Sequence, residues 1–157
     1  MRYAGLNKND FVNGEGVSVS LFTQGCPHRC KGCFNPETWN FEGGREIDRD
    51  DLLNEIVAAM TANGIRRNFS VLGGEPLCYQ NIDDTEYLIQ GVRAACPWAK
   101  IYVWTGYDRK VFNGDALWDY VDVMITGPYI EELRDVTLPL RGSSNQEVVL
   151  QCDGRRP

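Results

Sequence analysis

The chain has 157 residues, of which 43% are hydrophobic, and a formal net charge of −6. This length predicts one domain over 1–157, with a core large enough to be stable without disulfides. The excess of acidic residues argues against a nucleic-acid partner, because proteins that bind nucleic acids usually carry a basic face. The basic pair Arg66–Arg67 is expected on the surface. The longest apolar runs are far shorter than the roughly 20 residues that span a bilayer, so no membrane role is expected.

We expect no secretion signal, because 1–7 lack the apolar stretch that such a signal needs. We therefore expect a cytoplasmic protein with reduced cysteines.

The first strand is predicted at 17–23, where Val17, Val19 and Leu21 alternate with serines. This strand leads directly into a cysteine-rich segment.

Three cysteines follow this strand within eight residues, at Cys26, Cys30 and Cys33. Thiolates select zinc, copper(I) or iron–sulfur clusters. Structural zinc sites are usually closed by four protein ligands, and the sequence has no second cysteine pair to supply them. Three thiolates on a four-iron cluster would leave one iron open to a substrate or cofactor. A zinc knuckle completed by His28 or Cys78 is the alternative.

Helix and strand patterns then alternate along the chain. One helix is predicted to begin at Asp48 as N-cap and to end at Asn63–Gly64, with its apolar stripe in the core. Further strands are predicted at 69–72, 101–104, 121–125 and 147–151, and further helices at 83–95 and 115–120. The alternation predicts an α/β fold with a mainly parallel sheet. Because four βα units cannot close an eight-stranded barrel, we expect an open partial (β/α) barrel.

Short motifs follow the predicted strands, at the sheet edge where parallel α/β proteins bind ligands. Gly73, Gly74 and Glu75 follow the second strand, ahead of Pro76. Two glycines would let the backbone approach a ligand and expose carbonyl oxygens to an ammonium group. A plain turn is the alternative. The cysteine segment nearby favours the binding interpretation.

The CxxxCxxC pattern after one strand and Gly-Gly-Glu-Pro after the next resemble the radical S-adenosylmethionine superfamily. More narrowly, the chain resembles the glycyl-radical activating enzymes of anaerobic ribonucleotide reductases. Four further segments carry this resemblance: DFVNGEG at 10–16, CFNPETW at 33–39, VWTGY at 103–107 and RGSSNQ at 141–146. The resemblance covers nearly the whole chain and implies a radical-SAM type of partial barrel.

The resemblance also implies a mechanism. Cys26, Cys30 and Cys33 would ligate one [4Fe–4S] cluster per chain, and S-adenosylmethionine would bind the open iron. A low-potential donor such as flavodoxin would supply the electron that cleaves the sulfonium. The resulting 5′-deoxyadenosyl radical would take a hydrogen atom from a glycine of the reductase catalytic subunit. No catalytic side chain is implied beyond the cluster and the cofactor, and a homodimer is compatible with this interpretation.

The resemblance assigns S-adenosylmethionine contacts to residues after several strands. Gly32, Cys33 and Phe34 would lie against the adenine side, with backbone contact expected more than stacking. The remaining contacts are assigned to Gly73, Gly74, Glu75, Thr105 and Arg141. For Arg141, pairing with a carboxylate of the cofactor or partner stands beside a plain polar turn.

Two other functions fit parts of the sequence. One is a zinc-stabilised interaction module, and the other is a radical S-adenosylmethionine enzyme acting on a small molecule, such as a deazapurine synthase. The short chain leaves little to enclose a small substrate, which favours a protein partner.

The only histidine, His28, is expected to be hydrogen-bonded or exposed. The isolated cysteines, Cys78, Cys96 and Cys152, are expected to be small buried apolar residues.

Overall fold

The computed structural model describes residues 1–112 and 116–151. In these ranges seven strands form one sheet, in the spatial order β3-β1-β2-β4-β5-β6-β7. The strands are β1 (Arg2–Asp10), β2 (Ser18–Thr23), β3 (Arg45–Glu46), β4 (Asn68–Gly73), β5 (Ile101–Trp104), β6 (Val123–Thr126) and β7 (Glu147–Leu150). The two α-helices are α1 (Arg49–Met60) and α2 (Ile82–Ala95).

Four parallel strands form the centre of the sheet. β2, β4, β5 and β6 run parallel to one another, and α1 and α2 lie in the connections from β2 to β4 and from β4 to β5. This arrangement confirms the predicted α/β class and the mainly parallel sheet. The curvature of an open partial barrel stays a prediction.

Two strands that the sequence patterns did not predict extend the sheet beyond β2. β1 pairs antiparallel with β2, from Tyr3 opposite Thr23 to Asp10 opposite Ser18, and β3 pairs antiparallel with β1. The β1 sequence is largely polar and half exposed, so it lacks the apolar alternation that marks a strand. Its backbone pairing with β2, rather than its side chains, makes it a strand.

The connection from β5 to β6 contains short 3-10 turns instead of an α-helix. The helix predicted at 115–120 is a 3-10 turn over Ala116–Asp119, and Asp115 lies outside the described residues. β6 begins two residues later than predicted, and β7 pairs with it antiparallel at the edge of the sheet. A segment of this length is too short to gain much from helix propagation.

Helix α1 has the ends that its sequence predicts. The Asp48 side chain accepts hydrogen bonds from the amides of Asp50 (2.8 Å) and Asp51 (3.4 Å), which satisfies two amides of the first turn. Past Met60 the chain enters a 3-10 turn in which Asn63 adopts a φ of 59°. The left-handed conformation at Asn63 ends the helix.

The main core lies between the helices and one face of the sheet. Fully buried strand residues pack there against buried residues of α1 and α2: Val19, Leu21, Phe69, Val71, Ile101 and Val103 against Leu52, Ile56, Leu88, Ile89 and Val92. The opposite face carries buried Ser18, Ser20 and Ser70, and the 11–16 loop covers it. There the Ser70 hydroxyl donates to the carbonyl of Asn13 at 2.6 Å.

Arg67 corrects the expectation of a solvated basic pair. Arg66 is exposed, but Arg67 is buried and donates to the carbonyls of Ala59 (3.0 Å) and Ala62 (2.9 Å). It also reaches the Asn9 side chain at 2.8 Å, which links the end of α1 to β1. The buried cation therefore satisfies carbonyls at the helix carboxyl terminus.

No helix among the described residues combines the length and apolar character needed to cross a membrane.

Candidate functional site

The three-cysteine segment forms a loop at the carboxyl end of β2. Its start is anchored by the amide of Gly25, which donates to the carbonyl of Thr38 at 2.8 Å, and by the amide of Cys26, which donates to Trp39 at 3.3 Å. The parallel direction of β2, β4, β5 and β6 brings their carboxyl ends to the same edge of the sheet. The loop therefore meets the motifs that follow the neighbouring strands.

A cavity of about 600 Å³ opens at this edge, and all three cysteines line it. Cys26 is buried, whereas Cys30 and Cys33 are half-buried. Burial raises the pKa of the Cys26 thiol to about 11, against the lowering effect of hydrogen bonds from the His28 and Arg29 amides. Burial also raises the pKa of Cys30. Metal binding would have to displace these protons, as it does at thiolate sites generally.

Backbone amides point at the sulfur atoms. The amide of Asn35 donates to Sγ of Cys33 at 3.4 Å, and the backbone of Tyr129 hydrogen-bonds the Cys30 sulfur. Hydrogen bonds of this kind stabilise cluster thiolates and tune their reduction potential. Three thiols around one cavity, each with an amide donor, are a suitable ligand set for an iron–sulfur cluster.

Within the described residues, no three His, Cys, Asp or Glu side chains converge on a point that could hold a single metal ion. In an iron–sulfur cluster each thiolate binds a different iron atom, so the ligands surround a volume. All three cysteines line one cavity, which is the kind of volume that such a cluster would need.

Gly73 and Gly74 allow β4 to pack closely against the end of β2. A Cβ on Gly73, which has a φ of 105°, would lie 2.7 Å from Cα of Phe22, and one on Gly74 would lie 2.4 Å from the carbonyl oxygen of Gly25. The Gly74 amide also donates to Thr23 at 2.9 Å. Both glycines line the cavity, so close strand packing brings their backbone to its wall.

The Glu75 carboxylate is buried and fully hydrogen-bonded. It accepts from the Thr105 hydroxyl (2.7 Å) and the amides of Gly106 (2.7 Å) and Leu77 (3.0 Å), and His28 Nε2 lies 2.8 Å from it. Glu75 and Thr105 both line the cavity, but their side chains bond to each other. The hydrogen-bonding role expected of His28 is observed, and cofactor contact by Glu75 and Thr105 stays a prediction.

Of the remaining predicted contacts, Phe34 and Arg141 line the cavity and Gly32 does not. Phe34 lines the cavity, with its ring 5.1 Å from that of Tyr129. Arg141 also lines the cavity, and its buried Nε has no hydrogen-bond partner among the described residues. Gly32 is exposed at a φ of 71° and faces the Glu131 side chain rather than the cavity. Its contact with adenine stays a prediction.

Several cavity residues were not singled out from the sequence. They come from the loop after β1 and from the irregular segment between β6 and β7: Val12, Asn13, Val136, Leu138, Leu140 and Gln146. The segments at 10–16 and 141–146 did mark two of these regions. Val136 and Leu138 gave no signal, because they lie outside any periodic element.

Cys78 and Cys96 lie apart from the cavity lining. Cys78 and Cys96 are each 2% exposed, as expected for small apolar residues, and burial raises the pKa of both thiols. Cys152 lies outside the described residues.

Comparison with known proteins gives consistent matches. Residues 12–149 match a family model described as a 4Fe-4S single cluster domain. The chain is 38% identical to the anaerobic ribonucleoside-triphosphate reductase-activating protein of Salmonella typhimurium, over 94% of this chain and 97% of that protein. Proteins of the same name from Escherichia coli K12 and Enterobacteria phage T4 are 37% and 36% identical, over 94% and 98% of this chain and 97% of each relative. The chain therefore belongs to the family of anaerobic ribonucleoside-triphosphate reductase-activating proteins.

Proposed function

We propose that this chain generates a glycyl radical on an anaerobic ribonucleotide reductase, using a [4Fe–4S] cluster held by Cys26, Cys30 and Cys33. When bound, the cluster and S-adenosylmethionine would supply reductive cleavage of the sulfonium to methionine and a 5′-deoxyadenosyl radical, which takes a hydrogen atom from the partner's glycine. The reaction consumes one electron, so it requires an external low-potential donor of the flavodoxin class. The observation that carries the proposal is the single cavity shared by three thiols and the motifs after β4 and β5.

The chain's own residues have holding and orienting roles in this proposal. The three cysteines would hold the cluster from one short loop, and this leaves one iron without a protein ligand. Amide donors to the sulfurs of Cys33 and Cys30 support the thiolate form when metal is bound. Protein roles of this kind are usual where a cofactor carries the difficult chemistry.

Arg141 has the strongest side-chain claim to cofactor contact. The residue lines the cavity, and its buried Nε lacks a partner among the residues described, so we assign pairing with a bound carboxylate to this side chain. Gly73 and Gly74 line the cavity, and we assign the methionyl group to their backbone. Phe34 and Cys33 lie on the cysteine-loop side, where we assign the adenine.

Exposed apolar side chains at the cavity mouth favour a protein substrate. Val12 and Val136 both line the cavity, yet they are 81% and 74% exposed. Apolar residues in this position could pack against a polypeptide that enters the cavity and exclude water from the radical. A glycine-bearing loop of the reductase catalytic subunit has the small cross-section that such an entry needs.

The test is reconstitution of the full chain with iron and sulfide in the absence of oxygen. We expect about four irons and four sulfides per chain, and methionine and 5′-deoxyadenosine after addition of S-adenosylmethionine and dithionite. Adding the candidate reductase should give a glycyl radical signal by electron paramagnetic resonance. Cys33→Ala should lose both cluster and cleavage, whereas the matched control Cys96→Ala should keep both.

The alternatives give different results in the same experiment. A colourless protein with one zinc per chain and no response to S-adenosylmethionine would overturn the enzyme assignment in favour of an interaction module. Cleavage of S-adenosylmethionine without any radical on the reductase would retain the cofactor chemistry. It would exclude the activating role and point to a small-molecule substrate.

A further inference from the structure

His28 lies within the three-cysteine loop, but its side chain is hydrogen-bonded to a residue outside that loop. Its Nε2 lies 2.8 Å from Oε2 of Glu75, 47 positions further along the chain. The His28 side chain is 19% exposed and that of Glu75 is 1% exposed, so the hydrogen bond is shielded from water. In the tautomer that carries its proton on Nε2, the imidazole donates this hydrogen bond and the carboxylate oxygen accepts it.

The acceptor in this pair is held rigidly. Oε1 of Glu75 accepts from the Leu77 amide and the Thr105 hydroxyl, and Oε2 also accepts from the Gly106 amide. These donors come from the loops that follow β4 and β5. The carboxylate thus joins the loops after β4 and β5. Its contact with His28 links both of them to a third loop, the cysteine loop.

Packing holds the imidazole on two further sides. A Cβ on Gly106 would lie 2.6 Å from Cδ2 of His28, so only glycine leaves room for the ring. The Tyr107 ring meets the imidazole edge-on, with 4.6 Å between centroids. A ring held by one hydrogen bond of 2.8 Å and two packing contacts has little freedom to rotate.

The loop needs such support at this point. No regular helix or strand covers 24–35, and Arg29, next to His28, adopts a φ of 48°. Backbone hydrogen bonds anchor the loop near Cys26, before the section that carries Cys30 and Cys33. His28 attaches the middle of the loop to the sheet edge.

We propose that His28 is a positioning residue, whose hydrogen bond to Glu75 sets the three-cysteine loop against the loops after β4 and β5. This inference rests on the proposed function, since the first loop would carry the cluster and the others would contact S-adenosylmethionine. His28 would then set how the open iron faces the methionyl group. It neither ligates iron nor touches the reacting atoms.

The experiment compares His28→Leu, which lacks the donor, with His28→Gln, which retains an N–H donor. The exposed neighbour Arg29→Ala is the matched control. Each full-length protein is reconstituted with iron and sulfide. Four quantities are measured: iron content, thermal midpoint, affinity for S-adenosylmethionine, and the change that this cofactor causes in the electron paramagnetic resonance spectrum of the reduced cluster.

We expect His28→Leu to keep its iron and thermal midpoint but to bind S-adenosylmethionine about tenfold more weakly, with an altered spectral change, as is usual when support of a metal site is lost. His28→Gln should recover most of the affinity, and Arg29→Ala should match the wild type. If His28→Leu loses iron while His28→Gln keeps both iron and affinity, the need for the donor is equally supported.

Three outcomes would overturn the proposal. They are wild-type affinity and spectrum in His28→Leu, equal defects in the Leu and Gln variants, and loss of iron from both variants, which would make the imidazole part of cluster retention. Failure of the proposed function is distinguishable from these, because it would be seen in the wild-type protein as the absence of a four-iron cluster or of any response to S-adenosylmethionine.

Discussion

Asp10 organises the loop that borders the cavity. Its buried carboxylate accepts hydrogen bonds from the amides of Val12 (2.8 Å) and Asn13 (3.2 Å) and from the Asn13 side chain (2.7 Å). Burial alone would raise the pKa of Asp10, but hydrogen bonds, chiefly from Asn13, outweigh it and hold that pKa below its ordinary value of 3.8. The ionised form therefore stabilises the fold.

Replacing Asp10 with Asn should make this contribution visible through its pH dependence. Because the folded-state pKa is lowered, the stabilisation is present above the unfolded pKa of about 3.9 and is lost as pH falls through the folded value. We expect the free energy of unfolding of the variant to be about 1–2 kcal/mol lower than that of the wild type at pH 7, and this difference to shrink below pH 4. Urea unfolding of both proteins without cluster measures it, and a difference that is constant with pH would contradict the assignment.

Arg67 gives a second prediction at the level of a single residue. Arg67→Met keeps an apolar stem but leaves the carbonyls of Ala59 and Ala62 without their donor. We expect a loss of about 2–4 kcal/mol in the free energy of unfolding, since buried acceptors are left unpaired. The exposed neighbour supplies the control, because Arg66→Met should change stability by less than about 1 kcal/mol. Equal effects in urea unfolding would show that Arg67 does not cap α1.

At the scale of elements, the site depends on how closely β4 approaches β2. The carboxyl ends of the two strands remain in contact past their last paired residues, where the Glu75 amide donates to the carbonyl of Gly25 at 2.8 Å. The same contact fixes the start of the cysteine loop. Strand packing and loop placement are therefore one structural feature.

Gly74→Ala should disturb both together. The added methyl would lie 2.4 Å from the Gly25 carbonyl oxygen, which is backbone and cannot turn aside. We expect a loss of about 2–3 kcal/mol in stability and a reduced iron content after reconstitution. Gly5→Ala in β1 is the control, since its Cβ would meet no atom within 4 Å. Unchanged iron content in Gly74→Ala would separate loop placement from strand packing.

At the scale of the whole molecule, one end of the sheet carries the site. The cavity gathers residues from the loops after β1, β2, β4, β5 and β6, and the segment between β6 and β7 lies against the cysteine loop. Lys31 of that loop lies 3.1 Å from both Glu131 and Glu132, and Phe34 packs on Tyr129. Val136 lines this cavity and is 74% exposed, so we place the opening to solvent beside it.

A charge at the opening should affect the protein partner and spare the cofactor. Val136→Asp is expected to lower the yield of glycyl radical on the reductase about tenfold, since a buried interface residue commonly contributes 1–2 kcal/mol. Cleavage of S-adenosylmethionine without the reductase should stay at the wild-type level. Ile65→Asp, at an exposed apolar position before the amino end of β4, should leave both unchanged. An equal loss of both activities in Val136→Asp would place Val136 at the cofactor instead.

Much of the fold and part of the site were predictable from the sequence. Local patterns marked the central strands, both α-helices and the Asp48 cap, because alternation and capping depend on neighbours a few residues away. β1 was missed because its strand character depends on pairing with β2. Arg67 was wrongly expected on the surface, because its hydrogen-bond acceptors lie at the end of α1 and sequence patterns do not show such tertiary contacts.

The sequence by itself determined the class of fold, the three thiols and the family resemblance that comparison with known proteins confirmed. These features depend on residue types and their spacing, which are local properties. Only the tertiary structure decided that Gly74 packs closely on Gly25 and that the Glu75 carboxylate bonds to His28 and Thr105. It also decided that Val136 lines the cavity. Each depends on which distant segment fills the adjoining space, and close packing, rather than local pattern, decides that.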